Sequence, residues 1–76
     1  MKLNELDINT SAKIDKLLCS GDIKRRLLDL GITKGTTITP IFKSPLNNPI
    51  AYEVRGSIFA IRNEDSKYIE VIKTNI

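Results

Sequence analysis

Cys19 is the single cysteine of this 76-residue chain and histidine is absent, so nucleophilic or metal chemistry would rest on one thiol with neither an activating base nor a co-ligand. A plain small residue near a strand end is the expectation there. The nine carboxylates are spread from Glu5 to Glu70. Only Glu64 and Asp65 adjoin, and neighbours on a helical turn point apart, whereas a hard cation wants several converging oxygens. Serine and threonine hydroxyls have no base to activate them, and no GxxxxGK[ST] phosphate loop occurs. The chain is expected to be no enzyme, to use no cofactor and to hold no metal tightly.

What remains is charge and a stiff loop. Twelve basic against nine acidic residues give a net charge of +3, and their spread from Lys2 to Lys73 implies only a weak preference for acidic partners. Arg25 and Arg26 adjoin on helix-like sequence, where a solvated face is their simplest account. In Ser44-Pro45-Leu46-Asn47-Asn48-Pro49 each proline fixes its own torsion and pushes the preceding residue out of helical conformation. Two prolines around an exposed Leu46 lower the ordering cost of docking, so the loop outweighs the arginines as a protein-binding element. Single-stranded nucleic acid is the rival ligand for a small basic domain. Aromatics are only 5% of residues, namely Phe42, Tyr52, Phe59 and Tyr68, with Phe42 and Phe59 expected in the core, so no nucleic-acid partner is expected.

A chain this short forms one domain, residues 1–76, and buries only about 60% of the surface its unfolded form exposes. Hydrophobic residues make up 41% and charged residues 28%, an ordinary globular balance. No stretch approaches the ~20 apolar residues of a membrane span, and the N-terminus lacks a secretory pattern. With no disulfide possible as well, the expected location is cytoplasmic.

Leu3-Asn4-Glu5-Leu6 can form one helical turn with both leucines on one side. Ala12 and Ile14 alternate with Lys13 and Asp15 as a first strand, from which Leu17 and Leu18 fall out of phase, so a bulge is predicted near Asp15 or Lys16. Ser20 and Asp22 are capping candidates for a short helix whose Ile23, Leu27 and Leu30 share an inward face and whose stop is a left-handed Gly31. Thr36 to Lys43 is Thr- and Ile-rich strand, with Pro40 confined to an edge or a bulge. Ile50, Tyr52 and Val54 alternate with polar or small neighbours, and Gly56-Ser57 turns the chain into Ile58-Phe59-Ala60-Ile61, a hairpin. Asn63 is placed to cap a single turn, and Ile69 and Val71 alternate in a last strand. The predicted fold is mainly β: a small SH3-like, partly open barrel of about five strands, with one short helix between the first and second.

Four segments in this order, RRLLDLGITKG at 25–35, SPLNNPI at 44–50, EVRGSIFAIR at 53–62 and NEDSKYIEV at 63–71, resemble the ferrous iron transport protein A (FeoA) family. The resemblance implies a non-enzymatic, SH3-like accessory of Fe(II) uptake. It would bind the cytosolic part of a FeoB-type transporter, assemble or regulate it, and meet the membrane only through that partner. A departure from the family lies at Asp7 to Ser11, where Asn9 would have to supply any left-handed backbone in place of glycine. A related SH3-like domain ends metal-dependent repressors, which leaves a free-standing relative of that domain as an alternative, although a natural Met1 favours the accessory protein. Joined to the residue reading, the resemblance gives Lys24, Arg25, Arg26, Pro45, Leu46, Asn47, Asn48, Pro49 and Arg55 as the expected partner-binding set.

Overall fold

The structure is a computed structural model and describes residues 1–73. Five strands, β1 (Ala12–Leu17), β2 (Thr37–Lys43), β3 (Ile50–Val54), β4 (Ser57–Ile61) and β5 (Ile69–Lys73), form one antiparallel sheet in the order β4-β3-β2-β1-β5. Helix α1 (Gly21–Asp29) joins β1 to β2, a single-turn α2 (Asn63–Ser66) joins β4 to β5, and 3₁₀ turns occupy Leu3–Glu5 and Pro45–Asn47.

Period-two alternation decides which side chains reach the interior. Ala12 and Ile14 of β1, Ile38 of β2, Ile50, Tyr52 and Val54 of β3, and Ile69 and Val71 of β5 are all buried. Leu3 and Leu6 close the core from the first turn, so both leucines do lie on one side. The β1–β5 register shifts between Ile14 and Lys16, a bulge at the predicted place. Asn9 takes a φ of 67°, supplying the left-handed residue where glycine is missing.

Pro40 is buried in a central strand, where its missing N–H interrupts no β1 pairing, because β1 pairs β2 only at Ile38 and Thr37; on the β3 side it adjoins a bulge, one of the two places expected for it. Its carbonyl accepts the Asn9 N–H at 2.6 Å. A second register shift falls between Pro40 and Phe42, so Ile38 and Pro40 point inward but Phe42 points out. The expectation that Phe42 lies in the core is therefore wrong: it is 61% exposed. Phe59, in contrast, is half-buried against the core.

Helix α1 stops as its glycine requires. Gly31 has a φ of 86°, its N–H donates to the Leu28 carbonyl and the Ile32 N–H donates to the Leu27 carbonyl, both at 3.0 Å. This paired closure sets Ile32 and Leu27, both buried, side by side. Thr36 Oγ1 adds a hydrogen bond to the Gly31 carbonyl at 3.3 Å. The hairpin turns one residue earlier than expected: Arg55 and Gly56, with φ of 53° and 83°, are the two loop residues, and Ser57 already pairs with Val54. Positive φ at both central positions is the geometry that matches the right-handed twist of the strands.

Candidate functional site

The Ser44–Pro49 loop is held from both sides. Ser44 Oγ donates to the Pro49 carbonyl at 2.7 Å, closing the loop on itself. Asn48 then ties it to α2, its Nδ2 donating to Glu64 Oε1 at 3.1 Å and its Oδ1 accepting the Asn63 N–H at 3.0 Å. Asn63 thus begins α2 instead of capping it; the acceptor at that helix start is a side chain fifteen residues away in the sequence. The Asn48 amide is the main reason the Glu64 carboxyl titrates below its ordinary range, with smaller help from its own backbone and from Arg62 and Lys67. Between these anchors Pro45 is exposed and Leu46 is 96% exposed at a φ of 70°. A leucine held in left-handed conformation and directed at solvent serves neither burial nor backbone ease.

Helix α1 presents Lys24, Arg25 and Arg26 to solvent. Leu27 is buried and Leu30 half-buried as predicted, but Ile23 remains 40% exposed, because no other element among the described residues covers the first turn of the helix. Instead it borders a groove of about 300 Å³. One wall is α1, through Ile23, Arg26, Leu27 and Leu30. The other is the end of β4, through Ala60, Ile61 and Arg62, with Pro49 and Asp65 completing the lining.

Of the expected set, the groove brings Arg26 and Pro49 together; Lys24, Arg25, Leu46 and Arg55 are outside its lining. Asn47 belongs to the 3₁₀ turn of the loop. Arg55 stands in the β3–β4 turn, its Nη1 3.8 Å from where a Cβ on Gly31 would sit. That places a guanidinium by the C-terminal end of α1, where helix carbonyls favour positive charge. Arg62 and Asp65 were missed by sequence reasoning. Only Arg62 had a signal, a cation directly after an uncharged strand.

Cys19 is half-buried against the core two residues past β1, the plain position expected for it. Among the described residues no group of three or more His, Cys, Asp or Glu side chains could hold a metal ion, and no helix is long and apolar enough to cross a membrane. A cation-rimmed groove and an anchored loop thus stand side by side on a five-stranded, mainly β, SH3-like scaffold.

Residues 1–73 match the FeoA domain family, and the chain belongs to that family. It is 34% identical over 71 residues to the Fe(2+) transport protein A/Fe(2+) transporter FeoB fusion protein of Porphyromonas gingivalis, covering 93% of this chain and 8% of that protein. The FeoA protein of Chlorobium tepidum superposes with a TM-score of 0.93 at 28% identity, over 99% of this chain and 71% of that one. The zinc complex of Stenotrophomonas maltophilia FeoA, described as a prokaryotic SH3 domain protein, superposes with a TM-score of 0.78 at 33% identity, over 93% and 88% of the two chains.

Proposed function

We propose that this chain is a non-enzymatic accessory of ferrous iron transport that docks on the cytosolic part of a FeoB-type transporter and assembles or regulates it. The carrying observation is the Porphyromonas gingivalis relative, in which protein A and the transporter are one fusion protein. Fusion keeps two modules at high effective concentration, which is useful when they work in contact. Fe(II) is then cargo that passes through the partner, and this chain's own place is cytoplasmic. The docking surface is the exposed face of Lys24, Arg25 and Arg26, the loop from Pro45 through Leu46, Asn47 and Asn48 to Pro49, and Arg55.

Charge reversal by Arg25→Glu and Arg26→Glu together with Leu46→Asp is expected to weaken recovery of a FeoB-type transporter from solubilised membranes by about tenfold or more, since an anchored leucine and two cations go together. The far-UV spectrum should be unchanged. Equal recovery would remove this surface from consideration. The exposed rings of Phe42 and Tyr68 do not make a base-stacking platform: β2 runs on past the start of β1 before reaching Phe42, whereas the Tyr68 carbonyl bonds Leu18 beyond the end of β1.

A further inference from the structure

The two outer strands of the sheet are treated very differently. The outer side of β5 is covered by the chain's own start: the Val71 N–H donates to the Met1 carbonyl at 2.8 Å, and Lys2 forms a bridge with Glu70. That strand also carries Glu70 and Lys73. Strand β4, of sequence SIFAI, has no charge and no proline, and its outer side pairs with nothing among the described residues. Unpaired strands normally carry such protection, because their free N–H and C=O groups are a template for another chain.

Register tells which groups are free. Val54 and Ser57 flank the two-residue turn and form its closing hydrogen-bonded pair, so pairs alternate from there and Tyr52–Phe59 is the next bonded one. Ile58 and Ala60 therefore turn their backbone N–H and C=O groups away from β3. Both residues are exposed, Ile58 by 61%. Ala60 faces the groove, with Ile23, Leu27 and Leu30 of α1 opposite. A free strand edge beside an apolar helix wall is the arrangement that receives an added strand.

We propose that the outer edge of β4 is a strand-addition site for an extended segment of a partner protein in which apolar and acidic residues alternate. Pairing with Ile58 and Ala60 supplies the backbone hydrogen bonds, and apolar side chains enter the groove against α1. The acidic preference comes from Arg26 and Arg62 in the lining, against Asp65 alone, and from Arg55 at the other end of β4. The inference rests on the reading that the chain works by binding a protein, but on a surface beside the loop.

The test titrates the ¹⁵N-labelled full chain with an end-blocked Glu-Val-Glu-Ile-Glu-Val peptide and with two versions N-methylated at alternate residues. Saturable shifts at the Ile58 and Ala60 amides and about tenfold slower hydrogen exchange there are expected, because a paired edge amide is no longer open to solvent. Alternate amides of a strand face opposite sides, so one methylated version should lose binding and the other keep it. Ala60→Pro, which removes an outward N–H without touching the β3 ladder, should bind about three- to tenfold more weakly. Unmoved Ile58 and Ala60 amides, methylated versions that behave alike, or concentration-dependent shifts without peptide, which would make a second copy the occupant, would each overturn the proposal. Intact peptide binding with failed transporter recovery would discard the transporter and leave the site.

Discussion

Leu46 gives the protein little stability and costs it some. Its side chain is solvated, and left-handed backbone costs a leucine about 1–2 kcal/mol. Leu46→Gly is therefore expected to change unfolding free energy by less than about 1 kcal/mol, yet to lower transporter recovery; a large fall in thermal stability would show that the side chain has a structural role instead. Glu64 makes one of the loop's anchoring bonds, that to Asn48, sensitive to acid, whereas the Ser44–Pro49 and Asn63–Asn48 bonds contain no titrating group. The folded pKa of Glu64 lies below the unfolded value, so this bond's contribution is fully present above the unfolded value and is lost as pH falls through the folded one. Shifts of the Asn48 side-chain amide should follow that titration, and Glu64→Gln should abolish the pH dependence. Alternation alone made Tyr52 and Val54 legible as core, but it misplaced Phe42. The bulge after Pro40 reverses the phase of β2, and nothing in residues 37–43 marks it apart from the proline.

Helix α1 depends on its terminating glycine. A Cβ on Gly31 would meet Arg55 Nη1 only at 3.8 Å, an ordinary contact, so Gly31→Ala is a test of backbone strain at a φ of 86°. It should cost about 1–2 kcal/mol in denaturant unfolding. A cost near zero would mean that α1 ends differently in solution. The helix stop, the first bulge and the five strands were readable because each depends on neighbouring residues. The groove was not, because it arises where α1 stands off the end of β4, a distance no local pattern encodes. For the same reason Asn48 could not be recognised as the acceptor at the start of α2.

At the scale of the molecule, Tyr52 links the core to pH. Burial pushes its phenol pKa up. Its folded value then lies above the unfolded one, so the associated stability is complete below the unfolded value and is lost as pH rises through the folded one. Tyr52→Phe should flatten that alkaline loss in a denaturant series taken at several pH values. The net charge of +3 makes docking on an acidic surface weaken as salt rises. The central claim, that this chain acts by contact with a transporter, is tested most directly by sedimentation velocity of the 8.5 kDa protein mixed with the soluble cytosolic part of a FeoB-type transporter. A saturable complex, abolished by Arg25→Glu, Arg26→Glu and Leu46→Asp together, is the expected result; independent sedimentation of the two proteins at all concentrations would contradict it.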